Sequence, residues 1–181
     1  KGYAVYWDNY SISDFVDTPQ DLSFQSLGHC ADYYFMYGST PDKVIAQVRH
    51  LSGHAPMLPL WAYGFFQSKE RYHTQAEGLE VLKTFRKLRV PIDCLIQDWR
   101  YWPEYNQTDS AWNSHSFDPV RFPEPKKWAD EIHALHAKLM IVAWPGFGPK
   151  TEQRKELDSK GMIINLDTWP PQSGARPYDV F

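Results

Sequence analysis

Several features that sort a sequence into an extreme class are scarce in these 181 residues. There are only two cysteines, Cys30 and Cys94, far apart and in no metal-ligand spacing. They give neither a disulfide framework nor a zinc site, and both are expected inside, where an unpaired Cys behaves as a small apolar side chain. No apolar run approaches the roughly 18 residues that span a bilayer. Long runs of one charge are missing too: 19 basic and 22 acidic side chains are interspersed for a formal charge of −3, which removes the electrostatic reason to expect nucleic acid or a membrane surface as partner. Lys1-Gly2-Tyr3 offers no initiator Met and no signal-peptide pattern, so the chain is expected to be a slice of a longer protein. The compartment is unassigned, a periplasmic or extracellular one being compatible, and the oligomeric state is equally unread.

Aromatic residues are abundant. They make up 16% of the chain, with 8 Trp and 11 Tyr, more large amphipathic rings than one core ordinarily uses. The expected partner is therefore small, uncharged and able to stack. Gly2-Tyr3-Ala4-Val5-Tyr6-Trp7 and Ala31-Asp32-Tyr33-Tyr34-Phe35-Met36-Tyr37 are short aromatic and β-branched runs bounded by turn residues, the pattern of a β-rich segment. Thr40 as N-cap and Pro41 at the first helical position open a helix carrying Val44, Ile45, Val48 and Leu51, with Gly53 expected as a left-handed cap.

Strands and helices then alternate. Residues 59–66 read as an apolar strand, and Thr74-Gln75-Ala76-Glu77 is a capping box for a helix through Leu79, Leu82, Phe85 and Leu88. Residues 91–98 read as a second strand and 138–144 as a third, with a helix bearing Trp128, Ile132 and Leu135 between them. Thr151 caps one more helix, and Met162-Ile163-Ile164 begins a fourth strand. Such alternation implies parallel strands with right-handed crossovers, in an open doubly wound sheet or a (β/α)₈ barrel. Either architecture binds ligands at the carboxyl ends of its strands.

Those ends hold the candidate residues. Asp98, between Gln97 and Trp99, is placed to accept hydrogen bonds from a polar ligand such as a sugar hydroxyl pair, or else caps a backbone turn. Trp144 and Tyr72 suit the walls of a sugar pocket, the alternative for Trp144 being plain core packing. Lys69 and Arg71 either orient a ligand oxygen or lie solvated. His133 and His136 share a helical face without a third ligand, Asp109, Ser110 and His115 lack a scaffold for a triad, and Gly146-Phe147-Gly148-Pro149-Lys150 lacks the phosphate-loop spacing and reads as a turn. No metal or cofactor is expected. Asn9-Tyr10-Ser11 and Asn106-Gln107-Thr108 match the glycosylation acceptor pattern.

Taken in order, Asp32-Tyr33-Tyr34-Phe35-Met36-Tyr37-Gly38, Pro41-Asp42-Lys43-Val44-Ile45, Pro59-Leu60-Trp61, Gln67-Ser68, Arg71-Tyr72, Ile96-Gln97-Asp98-Trp99, Phe117-Asp118 and Arg121-Phe122-Pro123 resemble glycoside hydrolase family 31. The resemblance spans nearly the whole chain. It implies the tail of a β-sandwich domain over 1–38, a linking helix over 39–58, and the first part of a (β/α)₈ TIM barrel over 59–181. Ile141-Val142-Ala143-Trp144-Pro145-Gly146-Phe147-Gly148-Pro149 and Asn165-Leu166-Asp167-Thr168-Trp169-Pro170 look like the branch of α-xylosidases acting on xyloglucan oligosaccharides, with α-glucosidase the alternative. By the same resemblance Asp98 matches a carboxylate binding the hydroxyls of the cleaved sugar, and Trp144 and Tyr72 match walls of that pocket.

The implied reaction is double displacement by two carboxylates about 5 to 5.5 Å apart. In the family both are Asp residues on later strands, and nothing in 1–181 matches the motif of either. Glycone binding without covalent chemistry is thus the expected contribution of this segment. A non-catalytic carbohydrate-binding module is the competing function. A dinucleotide-binding domain is disfavoured because the turn after the first strand, 67–72, contains no glycine.

Overall fold

A computed structural model describes residues 2–103 and 108–179, so Asn106 of the second acceptor triplet lies outside the described residues. The chain divides into two compact units, the first ending at Met57 and the second starting at Leu58.

The first unit holds strands β1 (Tyr3–Trp7), β2 (Ser13–Asp17), β3 (Leu22–Ser26) and β4 (Tyr33–Tyr37), then helix α1 (Pro41–Ser52). β1 pairs antiparallel with β4, Tyr3 opposite Tyr37, and β2 with β3, Ser13 opposite Ser26. The β2–β3 hairpin is absent from the sequence reading. Its turn is closed by Thr18, whose amide donates to the Asp21 carbonyl at 2.8 Å and whose hydroxyl accepts from the Asp21 amide at 2.9 Å. Thr40 caps α1 and Pro41 sits in its first turn. Gly53 ends it with φ +83° but ψ 175°, an extended exit instead of the expected left-handed cap. Cys30 is exposed, not inside as expected, because it lies in the irregular stretch between β3 and β4; Cys94 is buried.

The second unit contains β5 (Phe66–Gln67), α2 (Gln75–Lys87), β6 (Cys94–Gln97), α3 (Pro125–Ala134), β7 (Lys138–Ile141), β8 (Gly146–Phe147), α4 (Glu152–Ser159) and β9 (Arg176–Pro177). β5, β6 and β7 form a parallel sheet in that order, Phe66 beside Cys94 and Cys94 beside Lys138. The alternation therefore yields three parallel strands, with two corrections. Residues 59–66 form no strand: Leu60–Tyr63 is a 3₁₀ turn entered from Pro59, and only Phe66 joins Gln67 in β5. Proline's fixed φ favours such a turn, and an apolar run alone does not specify its conformation. Residues 162–164 form a single antiparallel bridge, Ile163 to Tyr178, in place of a fourth parallel strand. Gly146 and Phe147, read as part of a turn, are β8, paired antiparallel with β9.

Local chemistry explains the helices. The Thr74 hydroxyl accepts from the Glu77 amide at 3.1 Å, while the Glu77 carboxylate takes the His73 amide at 2.6 Å, one residue earlier than a strict capping box. Thr151 caps α4 through the Arg154 amide at 3.1 Å. α2 and α3 pack on each other and on β6 and β7 respectively. Gly78 makes this possible: a Cβ there would stand 3.1 Å from the Trp128 ring. Arg86 then ties α2 to the end of α3, donating to the carbonyls of Leu135 and His136 at 2.8 and 3.0 Å and to that of Ile92 at 2.8 Å. The resulting core joins Leu82, Leu95, Trp102, Trp112, Trp128 and Ile132, all at or below 1% exposure.

Candidate functional site

Every candidate lies beyond the carboxyl end of a parallel strand. β6 is the central strand, with Cys94, Leu95 and Gln97 buried, and Asp98 follows it directly. Burial pushes the Asp98 carboxyl above its ordinary range; the Trp99 amide, donating a hydrogen bond, opposes the rise and the Glu70 charge adds to it. Asp98 is thus a partly desolvated acceptor with an acidic neighbour from the loop after β5. A carboxylate of this kind gains from any hydrogen-bond donor brought to it, hydroxyl groups included.

Gln97 is wholly buried, and its side-chain amide donates to the Tyr72 carbonyl at 3.3 Å, while its Oε1 has no partner among the described residues. Tyr72 is 1% exposed, inside the core cluster, so it backs the strand ends and presents no open ring face. Burial pushes the Tyr72 hydroxyl up and the nearby Gln67 amide pulls it down, yet the hydroxyl completes no well-formed hydrogen bond to a described residue. The half-exposed Lys69 side chain pairs with Glu77 at 2.7 Å and lies 5.6 Å from the centre of the Tyr72 ring. That cation and the His73 amide hold the Glu77 carboxyl below its usual range.

Trp144 sits three residues past β7, half-buried against the core. Its ring stacks on Trp169 at 5.4 Å and 28°, and Trp169 is 56% exposed. Trp112 is the hub of this group, meeting Trp144, Trp169, Trp99 and Trp102 edge-on at 5.3 to 5.6 Å. The three candidates are thus joined through their neighbours: Gln97 links Asp98 to Tyr72, and Trp99 with Trp112 links it to Trp144.

The loop after β6 is held by charge. Arg100, in the left-handed region at φ +57°, stacks 4.3 Å from the Trp99 ring centre and pairs with buried Asp109 at 2.8 Å. Arg121 donates to the carbonyls of Arg100 and Trp102 at 2.8 and 2.7 Å. Burial works against the Asp118 charge, but amide bonds from Arg121 and Val120 and the Arg121 guanidinium prevail and hold that carboxyl below the usual range. Asp109 is committed to Arg100, and the exposed His115 ring packs on Phe147 at 5.2 Å, so the two are not assembled with Ser110 into a triad. The residue missed by the sequence reading is Asn113. It is fully buried at φ +59° and bonds both sides of Trp144. The one signal it offered is that Asn tolerates the left-handed region. Among the described residues no group of three or more His, Cys, Asp and Glu side chains is arranged to hold a metal ion, and no helix is long and apolar enough to cross a membrane.

The family model described as the glycosyl hydrolases family 31 TIM-barrel domain matches residues 55–180. An α-xylosidase of Saccharolobus solfataricus is 46% identical over 165 residues, covering 91% of this chain and 22% of that protein. The α-glucosidase 2 of Bacillus thermoamyloliquefaciens is 30% identical over 148 residues, 81% of this chain and 18% of its own length. Among solved structures, the family 31 α-xylosidase of Xanthomonas citri superposes with a TM-score of 0.74 at 38% identity, over 86% of this chain and 17% of that one. The chain spans about a fifth of the length of these relatives. With the parallel strands, their helices and the family model agreeing over the second unit, the chain belongs to glycoside hydrolase family 31 and carries part of its TIM-barrel domain.

Proposed function

We propose that this segment binds the sugar residue to be cleaved in a retaining α-glycoside hydrolase, and that the parent enzyme is an α-xylosidase releasing xylose from xyloglucan-type oligosaccharides. The observation that carries the reading is Asp98: a partly desolvated carboxylate directly after the central parallel strand, followed by Trp99, whose ring meets Trp112 and Trp169. Its role is to accept hydrogen bonds from a hydroxyl pair while Trp144 bounds the pocket and Tyr72 supports it from beneath. In this reading 1–38 end a β-sandwich, 39–58 link the domains and 59–181 begin the barrel. Neither the nucleophile nor the acid/base belongs to this segment. The xylosidase preference is supported by the 46% identity to an α-xylosidase. α-Glucosidase activity is the second reading, favoured by the 30% identity to an α-glucosidase.

The test is steady-state kinetics of the full-length protein on 4-nitrophenyl α-xyloside and α-glucoside. Asp98→Ala is expected to lower kcat/KM by about 100-fold, the scale of losing a charged hydrogen-bond partner to the substrate. Near-normal kinetics would remove Asp98 from the site. Faster glucoside than xyloside turnover by the parent would select the second reading, and hydrolysis by residues 1–181 alone would overturn the assignment of the covalent chemistry to other parts of the enzyme.

A further inference from the structure

We infer that Asn113 is a positioning residue for the sugar-binding wall, fixing Trp144 by acting as a substitute strand; the inference rests on the reading of Trp144 as that wall. β7 ends at Ile141, so the Trp144 peptide groups lie beyond its ladder. A peptide N–H and C=O at a half-buried position require partners. The Asn113 side chain supplies both, its Oδ1 accepting from the Trp144 amide at 2.9 Å and its Nδ2 donating to the Trp144 carbonyl at 2.6 Å. Nδ2 also reaches the Gly146 carbonyl at 3.2 Å. An amide side chain that receives an N–H and returns one to the same residue reproduces what a neighbouring strand would do.

Asn113 is itself fixed. It is 0% exposed, and its φ of +59° belongs to a region that Asn and Gly occupy more readily than other residues. The double turn it completes is closed by the Trp112 amide on the Asp109 carbonyl at 2.8 Å and by the Ser114 amide on the Ala111 carbonyl at 3.0 Å. That turn is zipped to the chain after Trp144 by the Gly148 amide on the Trp112 carbonyl at 3.0 Å and the Lys150 amide on the Ser110 carbonyl at 2.9 Å. With the Trp144 peptide held from both sides, its Cα–Cβ direction is set, and the indole comes to rest edge-on to Trp112 and stacked on Trp169. Loss of the clamp leaves the ring attached but misdirected, which weakens ground-state and transition-state binding alike.

The test compares Asn113→Gly, Trp144→Ala and the double variant in the full-length protein. Glycine keeps the left-handed backbone and removes only the side-chain bonds. With 4-nitrophenyl α-xyloside, Asn113→Gly is expected to raise KM about tenfold with kcat changed by less than about threefold, the signature of lost uniform binding. On the Trp144→Ala background the same change should add less than about twofold, since its effect runs through that ring. Near-ultraviolet circular dichroism supplies a readout independent of sugar: both single variants should lose the same indole signal. Asn113→Ala, which removes the same three bonds but leaves a Cβ in the space, should match Asn113→Gly in KM and serves if the glycine variant does not fold. An undiminished effect on the Trp144→Ala background, or a wild-type indole signal in both Asn113 variants, overturns the inference. A normal KM for Trp144→Ala removes the wall reading instead, and the indole signal alone then decides whether Asn113 places the ring.

Discussion

The two units treat their aromatic residues in opposite ways. In the second, Trp102, Trp112 and Trp128 are sealed into one cluster beneath α2 and α3. In the first, Met36 is the one apolar side chain buried among the described residues, while Phe15, Phe24, Tyr33 and Phe35 are 46 to 67% exposed. Its rings pair locally, Tyr3 stacking on Phe35 at 5.6 Å and Trp7 meeting Phe24 edge-on at 5.0 Å. They surround a concavity of about 700 Å³ lined by Tyr3, Val5, Trp7, Phe15, Leu22 and Phe24, among others. Two-stranded ribbons are marginal without a covered face, whereas a parallel sheet with helices over it carries its own core. Aromatic content alone is therefore a poor guide to ligand binding. What distinguishes Trp144 is its place three residues past β7, stacked on the 56%-exposed ring of Trp169.

The contrast in burial fixes the scale of what can be lost. In the 181-residue segment by itself, Trp128→Ala removes a 0%-exposed indole between α2 and α3 and is expected to cost about 3 to 5 kcal/mol, whereas Phe24→Ala, at a side chain half in water there, should cost less than about 1 kcal/mol. Denaturant midpoints of the two variants measure this, and equal losses would mean that the ribbons bury more than their exposure indicates. Gly148→Ala comes next. A Cβ there would sit 2.5 Å from the Ser110 carbonyl oxygen and 2.7 Å from the Trp112 amide, both backbone atoms that cannot step aside cheaply. Overpacking of this kind costs about 1 to 3 kcal/mol and should unzip the turn that carries Asn113, reducing thermal stability and the indole circular dichroism together. Thr74→Ala, which strips α2 of its cap, should cost about 1 kcal/mol, and its urea midpoint should be restored by Thr74→Ser.

How much of this was legible in the sequence follows from where each signal resides. Caps and alternation are local, so Thr40, Thr74 and Thr151 announced their helices and the buried run at 94–97 announced its strand. Pairing is not local. The run at 59–66 carried strand-like composition but is turned by Pro59, and Ile163 found Tyr178 instead of a parallel neighbour. The candidate residues stood out because strand ends in α/β folds gather ligands. Tyr72 shows the limit of that rule, since position at a strand end does not reveal that a ring faces inward. Asn113 was invisible for a related reason: its partners are 31 and 33 residues away, and nothing in its immediate neighbours marks it.

The smallest expected stability effect separates a carboxylate placed for binding from one placed for structure. Asp98 has its folded-state pKa raised, burial being the main cause, so its ionised form works against folding. Below the ordinary carboxylate range both folded and unfolded chains hold the proton and the residue contributes nothing. As pH rises, the unfolded chain ionises first, and stability declines until the pH passes the raised folded-state value. Asp98→Asn should therefore increase the denaturant midpoint at pH 7, leave it unchanged near about pH 3, and still lose most of kcat/KM in the full-length protein. Asp118 carries the opposite sign. Its carboxyl is held low by the Val120 and Arg121 amides, so it stabilises the fold above the ordinary carboxylate range, and that contribution disappears as pH falls through its folded-state value. Asp118→Asn should lower the midpoint at pH 7 and converge with wild type in acid. If both Asn variants lower the pH 7 midpoint, the desolvated environment assigned to Asp98 is wrong, and with it the physical basis for placing a sugar hydroxyl there; if both raise it, the stabilising role given to Asp118 fails instead.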